Sequence, residues 1–281
     1  MTRLRVRALG PSDRADALAC LEAAPRLNLH LIDLVARIGA PSRRGEPRSE
    51  VVGAWRGDAL VSLLSISPSV VLDARVGADA ALAFLPYLGG ANAGLLKSTE
   101  DVVGPVWEGL AQRGRQVLLD RIENAFAVEA RDLRPAPVPP GLSFRPARPG
   151  DVDALVVASR ESLIEEDRPD PSRRDPAGFR RWVRSRIPRA FVGERDGALV
   201  FVGYADVRCP QGWLLQGIFT WREARKQGIA SAGVSELCRR AFAAHADHVQ
   251  LAVVDGNEAA ERLYAGLGFE RFARLRTLLF S

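Results

Sequence analysis

The sequence predicts an α/β protein in which each of two tandem halves carries a mixed, mostly antiparallel sheet flanked by helices. Three observations predict this fold class. Hairpin and crossover signals alternate along the chain, a proline-rich break lies near its middle, and the segments on either side of the break resemble each other. Of the 281 residues, 47% are hydrophobic and 26% are charged. This composition suits a chain that buries a core, and it excludes intrinsic disorder.

The break is segment 134–141, with the sequence Arg-Pro-Ala-Pro-Val-Pro-Pro-Gly. Because its four prolines cannot sustain a helix or a central strand, they favour a stiff, extended connector. We therefore predict a first domain at 1–134, a proline-rich linker at 135–141 and a second domain at 142–281.

The two halves resemble an internal duplication. Segments 7–18 and 145–155 each contain a short basic strand, a turn and an aspartate placed to cap a helix. Segments 56–61 and 195–200 each contain a Gly/Asp hairpin turn followed by an apolar strand. The matches occur in the same order at offsets of 137 and 139 residues, which favours a repeat over chance similarity in an Ala- and Arg-rich chain.

Turn and periodicity signals define the elements of the second half in order. Strands are predicted at 142–145, 190–194, 199–208 and 213–220. A helix at 228–244 places the apolar side chains of Val234, Leu237, Cys238 and Ala241 on one face. A strand at 249–254, a helix at Glu258–Gly266 and a last strand at 269–280 complete the half.

Segment 215–230 combines a strand, a loop of small residues and the start of an amphipathic helix. Backbone N–H groups at a helix N-terminus lack intrahelical partners, and the helix dipole favours negative charge there. Gly228 lets an anion approach the backbone, and Arg225 and Lys226 add positive charge. The segment is not a Walker A loop, because Val234 stands where the lysine should be.

Two motifs resemble those of the GCN5-related N-acetyltransferase (GNAT) family. Arg225, Gly228 and Ala230 fill the family's [Gln/Arg]-x-x-Gly-x-[Gly/Ala] signature. After an intervening strand, segment 257–269 is similar to the family's Asn-x-x-Ala-x-x-x-Tyr-x-x-x-Gly-Phe block. The resemblance covers 142–281, and whole-chain features resemble a tandem subgroup with an uncharacterised N-terminal domain.

The resemblance implies that acetyl-CoA binds in a splayed cleft between the strands at 213–220 and 249–254. The backbone of the first strand would pair with the pantetheine amides, and an N–H group there would stabilise the oxyanion. Tyr264 would protonate the departing thiolate as general acid. The implied cofactor-binding residues are Ile218, Phe219, Thr220, Arg225, Lys226, Gln227, Gly228, Ile229, Ala230, Asn257 and Tyr264.

The strand at 249–254 departs from the family pattern. It carries Ala252 five positions before Asn257, where many members carry a catalytic glutamate, so the base must come from elsewhere, act through water or be missing. Glu165 and Glu166 are candidate catalytic residues, because a carboxylate pair can bind an ammonium group and raise one pKa. The alternative is that the pair is a solvated helix end.

The first half keeps the order of strand, helices and hairpin but lacks both motifs. The counterpart of the phosphate loop is predicted at 94–101, where Glu100 and Asp101 begin a helix. Acidic residues cap a helix N-terminus well and repel phosphate. We therefore expect a degenerate GNAT-like domain that binds no cofactor and shapes or covers the substrate cleft.

The predicted function is N-acetyl transfer from acetyl-CoA to a primary amine of a small molecule or peptide, by direct attack in a ternary complex. The alternative is a non-catalytic regulatory module that binds acetyl-CoA or CoA. The two differ in one measurable property, because only the enzyme releases free thiol when an acceptor amine is added.

Composition sets further expectations. The 39 Lys and Arg residues exceed the 34 Asp and Glu residues, but the excess is mostly an arginine preference, and no stacking platform for nucleic acid is present. Cysteines and histidines show no metal-ligand spacing. Without a signal peptide or an apolar run of about 20 residues, we expect a cytoplasmic protein with no membrane partner, as a monomer or homodimer.

Overall fold

The computed structural model describes residues 4–40, 49–67, 69–89 and 94–281. The chain divides by its contacts into two compact units, the first comprising Met1–Ala125 and Ala273–Ser281 and the second Phe126–Phe272. These bounds differ from the predicted domains in two places. The division falls before the proline-rich segment, and the end of the chain belongs to the first unit because it forms a strand there.

Helices and strands are mixed along the chain in both units, which confirms the mixed α/β class. The first elements are β1 (Arg5–Ala8), α1 (Arg14–Glu22), α2 (Pro25–Ala36), β2 (Glu50–Arg56), β3 (Ala59–Ser67), β4 (Val70–Leu72), α3 (Ala78–Phe84), β5 (Gly94–Thr99), α4 (Glu100–Ala111) and β6 (Val117–Glu129). They are followed by β7 (Ser143–Pro146), α5 (Val152–Glu165), α6 (Pro176–Arg186), β8 (Ala190–Arg195), β9 (Ala198–Cys209), β10 (Gly212–Thr220), α7 (Ile229–Ala243), β11 (His248–Val254), α8 (Glu258–Gly266) and β12 (Glu270–Phe280). The elements predicted for the second half agree with these bounds to within one residue at each end.

The two units repeat one strand order. In the first unit the order is β1-β2-β3-β4-β5 followed by the C-terminal strand β12, and in the second it is β7-β8-β9-β10-β11 followed by β6, which enters this unit at Phe126. In both units the fourth and fifth strands are parallel and the first four pair antiparallel. A parallel pair needs a crossover, which α3 supplies in one unit and α7 in the other.

The start of each unit repeats one ion pair. The Arg7 guanidinium donates to both carboxylate oxygens of Asp13 at 2.7 Å, and Arg145 donates to both oxygens of Asp151 at 2.7 and 3.0 Å. In each unit the aspartate also accepts a backbone N–H three positions earlier, which fixes the turn before the first helix. The similarity found between segments 7–18 and 145–155 therefore reflects one recurring local structure.

The repeat corrects one sequence expectation. The counterpart of the phosphate loop was predicted at 94–101, before α4, but the helix that follows the fourth strand of the first unit is α3, which begins at Ala78. The equivalent segment is therefore 73–77, and α4 is the equivalent of α8. The prediction was wrong because β4 has only three residues, too few for a recognisable strand pattern.

The second unit buries apolar side chains on both faces of its sheet, because successive residues of a strand point to opposite faces. The α7–α8 cluster includes Phe201, Ala205, Leu215, Ile229, Leu237, Val253, Tyr264 and Phe269. The α5–α6 cluster includes Leu155, Phe179, Val183, Val202, Tyr204 and Phe219. Helices of the same unit thus cover both sides of β9 and β10.

The proline-rich segment packs within the second unit, whereas the sequence suggested a stiff, extended connector between two domains. The backbone N–H of Ala136 donates to the Ser235 hydroxyl on α7 at 3.0 Å, and Leu142 is buried. Just upstream, the Arg134 N–H donates to the Leu267 carbonyl at 2.9 Å. These hydrogen bonds and the apolar contacts hold segment 132–142 along α7 and the end of α8.

Candidate functional site

The loop between β10 and α7 presents a helix N-terminus to solvent. Lys226 and Gly228 both adopt left-handed backbone conformations, with φ of 60° and 75°, and α7 begins directly after them. A Cβ built on Gly228 would meet one atom, Cγ of Pro139 at 3.8 Å, so the space above the helix end is open. The free N–H groups of the first turn therefore face a place that an anion can occupy.

An open cavity of about 510 Å³ adjoins this helix end. Its walls are the predicted loop residues Gln227 and Gly228, the α7 residue Ser231 and the proline-rich segment 136–140. The volume falls within the usual range of small-molecule sites, and prolyl rings give one wall an apolar surface. The segment was predicted as a linker, so its place beside the loop is a feature that the sequence analysis missed.

Two residues with separate predicted roles are bound to each other. Arg225, expected to hold phosphate, donates from Nη2 to Glu165 Oε1 and Oε2 at 3.0 and 2.9 Å and from Nε to the Thr220 carbonyl at 2.9 Å. Glu165, expected as a catalytic carboxylate, also accepts from Arg222 Nε at 3.1 Å. The Glu165 carboxylate is thus engaged by two guanidinium groups, and it ties the end of α5 to the loop.

The remaining loop positions have varied surroundings. Lys226 is exposed at the rim, Ile229 is buried in the α7–α8 cluster and Ala230 is half-buried on the first turn of α7. Gln227 accepts from Arg195 Nη1 at 2.8 Å and donates to the Glu223 carbonyl. The loop is therefore fixed by side chains of its own unit before any ligand is considered.

Strands β10 and β11 pair over a short stretch. The register joins Trp213 to Val249 and Leu214 to Gln250. Beyond these residues β10 continues to Thr220 and β11 to Val254 without further pairing to each other. Beyond the paired residues, both strands keep backbone N–H and C=O groups that the β10–β11 ladder does not use. This is the splayed pair that the family resemblance implied.

A bulge lies in the part of β10 that does not pair with β11. The register with β9 shifts between Gln216 and Phe219, and Gly217 has φ of 54°. A bulge leaves backbone groups outside the ladder, whereas Phe219 and Thr220 pair with β9 again. Of the three strand residues predicted to bind the cofactor, Ile218 is the one whose backbone lies in the bulge. Gly217 was missed, although a glycine inside a strand pattern is a known bulge signal.

Asn257 and Tyr264 occupy the two ends of α8. The Asn257 side chain accepts the Ala260 N–H at 3.2 Å and caps the helix. Tyr264 is buried in the α7–α8 cluster, with its ring centroid 5.7 Å from that of Phe269. Burial raises the pKa of the Tyr264 hydroxyl well above its usual range, and the neighbouring Cys238 thiol adds to this. The hydroxyl therefore keeps its proton at neutral pH.

The other acidic candidate lies apart from these residues. Glu166 follows α5 at the surface, with one carboxylate oxygen 3.9 Å from an Arg168 nitrogen. On β11 the exposed residue Ala252 offers no titratable group. The structure thus brings the loop, the splayed strands and α8 together in one unit, joins Glu165 to Arg225 of the loop and places Glu166 beside Arg168.

The family model for "Acetyltransferase (GNAT) family" matches residues 154–269, which contain the loop, the splayed strands and α8. Residues 154–269 form a GNAT acetyltransferase domain. No curated protein sequence matches the chain. Among the helices of the described ranges, none combines the length and the apolar character that crossing a bilayer requires.

Solved structures resemble the whole chain and not the GNAT domain alone. A Drosophila protein is 15% identical, with 98% of each chain covered and a TM-score of 0.74. A GCN5-related N-acetyltransferase from Sphaerobacter thermophilus is 17% identical, covering 99% of this chain and 96% of its own, with a TM-score of 0.61. A tandem GNAT protein from the clavulanic acid biosynthesis pathway is 16% identical, covering 99% and 98%, with a TM-score of 0.57. At these identities the likeness shows the fold, which is that of tandem GNAT proteins.

Proposed function

We propose that the second unit binds acetyl-CoA and transfers the acetyl group to a primary amine by direct attack in a ternary complex. The observation that carries the proposal is the parallel pair β10–β11, which separates after Leu214 and Gln250 and leaves the β10 bulge open beside the N-terminus of α7. A splayed parallel pair with an anion-binding helix end suits a ligand that is part peptide-like and part phosphate.

The residues present fit such a ligand. Gly228 leaves room for phosphate oxygens above the first turn of α7, and the cavity of about 510 Å³ beside it has space for one end of the molecule. Lys226 adds a positive charge at the rim of the loop. Unpaired backbone groups at the bulge can hydrogen-bond the amides of the pantetheine arm. Acetyl-CoA supplies the activated thioester.

The chain's own groups account for the remaining requirements. A backbone N–H at Ile218 polarises the carbonyl oxygen, so that the amine nitrogen forms the new C–N bond as the C–S bond breaks. Tyr264 gives its proton to the leaving sulfur and regains one from water. The proton of the attacking nitrogen leaves through water, because β11 carries Ala252 and Glu165 is engaged by Arg222 and Arg225.

We assign no cofactor to the first unit. Its equivalent loop, 73–77, contains the buried carboxylate of Asp73, and Asp79 lies in the first turn of the helix that follows. The Asp79 carboxylate accepts the Ala80 N–H at 2.9 Å, so a side chain of the helix already uses one donor of its N-terminus. A phosphate would meet like charge there.

Two measurements on the full chain test the proposal. Isothermal titration calorimetry with acetyl-CoA should show one binding event per chain. Release of free thiol from acetyl-CoA, followed across a broad panel of primary amines, should rise above the rate without amine. Binding without thiol release for any amine supports the non-catalytic CoA-binding module instead, and absence of binding rejects both.

A further inference from the structure

The bulge of β10 has two sides with different occupants. Ile218 packs against the α7–α8 cluster, which also contains Tyr264, whereas Phe219 belongs to the α5–α6 cluster. A Cβ built on Gly217 would lie 3.0 Å from Cδ2 of Tyr204, so position 217 faces the α5–α6 side. Because the first α7 residue Ile229 and Tyr264 belong to the other cluster and Gly217 is exposed, the α5–α6 side of the bulge is the side open to a second substrate.

A single guanidinium dominates that side. Nη2 of Arg186, at the end of α6, would lie 3.8 Å from a Cβ on Gly217. The Arg186 guanidinium carbon lies 3.9 Å from the ring centroid of Tyr204 and 4.9 Å from that of Trp182. With 13% of its side chain exposed, Arg186 is held in place by the two aromatic rings.

Arg186 retains unused donors. Its Nη2 donates to Asp206 Oδ2 at 2.6 Å, while Nε and Nη1 donate to no group in the ranges that the structure describes. Nε of Arg189 lies 3.7 Å from the other oxygen of Asp206, so two cations face one carboxylate. Helix α6 itself contains arginines but no acidic residue.

We infer that Arg186 binds a carboxylate on the acceptor, so that the acceptor is an amine bearing a carboxylate close to its amino group, as in an amino acid. The inference rests on the proposed function. Nη2 keeps a second N–H beside the bond to Asp206, and with the adjacent N–H of Nε or Nη1 it can bind a carboxylate in a planar, two-point geometry that an amide or a neutral amine cannot reproduce. Arg186 Nη2 would lie only 3.8 Å from a Cβ on Gly217, so a carboxylate bound to Arg186 lies close to the bulge. The reacting nitrogen must therefore be few bonds away from that carboxylate. The half-exposed ring of Trp182 borders the same space and can pack on an apolar side chain.

The experiment compares amino acids with their carboxamides, in which a neutral amide replaces the carboxylate. Each pair is titrated calorimetrically into the full chain, with and without saturating CoA, and is assayed by thiol release from acetyl-CoA. We expect at least one amino acid to bind about 10-fold more tightly than its carboxamide and to show the lower KM. Arg186→Gln should abolish that preference. Arg186→Lys keeps the charge but should lose most of the preference.

Arg184→Gln is the matched control, since Arg184 is an exposed arginine on the same helix. It should retain the full preference, and thermal melting checks that each variant is folded. Equal binding of every amino acid and its carboxamide, absence of binding by both, or an equal loss in the Arg184 variant overturns the inference. CoA binding and thiol release with carboxamides test the proposed function by themselves. The proposed function and the inference about Arg186 can therefore fail independently.

Discussion

Segments 73–77 and 221–228 occupy the same place in the two units, between the fourth strand and the crossover helix. In the second unit the segment ends in Gly228, with an open space above α7. In the first unit it begins with Asp73, which is buried, accepts from Asn28 Nδ2 and the Arg75 N–H at 3.0 Å, and has its pKa raised by burial.

The comparison shows that one fold can carry opposite electrostatics at equivalent helix ends. The strand order, the crossover and the ion pair before the first helix recur in both units. The identity of a few loop residues decides whether the helix end is open to an anion or used by the protein's own carboxylates. Four variants, each paired with a counterpart, test how far this difference extends.

The largest effect is expected at the glycine after the last helix of each unit. Gly268 has φ of 92°, and a Cβ there would lie 2.0 Å from the Asp132 carbonyl oxygen. Gly114 has φ of 84°, but a Cβ built there would have no atom within 4 Å. Gly268→Ala should lower the free energy of unfolding by about 3 kcal/mol and Gly114→Ala by about 1 kcal/mol, measured by urea denaturation. Equal losses would show that backbone conformation alone matters at both sites.

The next effect concerns the proton donor. Tyr264→Phe removes the hydroxyl while keeping the buried ring, so kcat should fall about 100-fold with the affinity for acetyl-CoA unchanged. Steady-state thiol release and calorimetry measure the two quantities. Tyr87→Phe removes an exposed hydroxyl of the first unit, which donates to the Val6 carbonyl, and should leave both unchanged. Unaltered turnover in the Tyr264 variant would assign that residue to the core alone.

The helix ends themselves give a third pair. Gly228→Ala places a methyl group where phosphate should approach and strains a left-handed backbone, so acetyl-CoA should bind about 10-fold more weakly by calorimetry. Gly77 is the N-cap of α3 and has φ of −73°, which any residue adopts. Gly77→Ala should leave acetyl-CoA binding unchanged. A matching loss in the Gly77 variant would mean that the first unit also takes part in binding.

The smallest effect is expected at the ion pair that holds Arg225. Glu165→Gln frees the guanidinium, so acetyl-CoA should bind about 3-fold more tightly, in keeping with the modest free energy of exposed ion pairs. Glu166→Gln, one residue away, should not change the affinity. The pH profile of kcat/KM tests whether Glu165 acts as the general base. Loss of the acidic limb of that profile in the Glu165 variant alone would identify Glu165 as the base.

Residue patterns were sufficient for most of the second unit. Period-two apolar strands, the helix face of Val234 and Leu237, and the glycine at position 228 each follow from local physical chemistry, and the structure has these elements. The first unit was harder because β4 is short and its loop carries no motif. The equivalence of α3 and α7 became visible once the strand order was known.

The sequence by itself determined the α/β class and the loop that begins α7, because these depend on neighbours in the chain, and comparison of its two halves indicated the duplication. Tertiary structure alone decided that Glu165 pairs with Arg225, that segment 136–140 lines a cavity beside Gly228 and that Arg186 reaches the bulge at Gly217. Such contacts join residues far apart in sequence. Their geometry depends on strand register and helix packing, which no local pattern encodes.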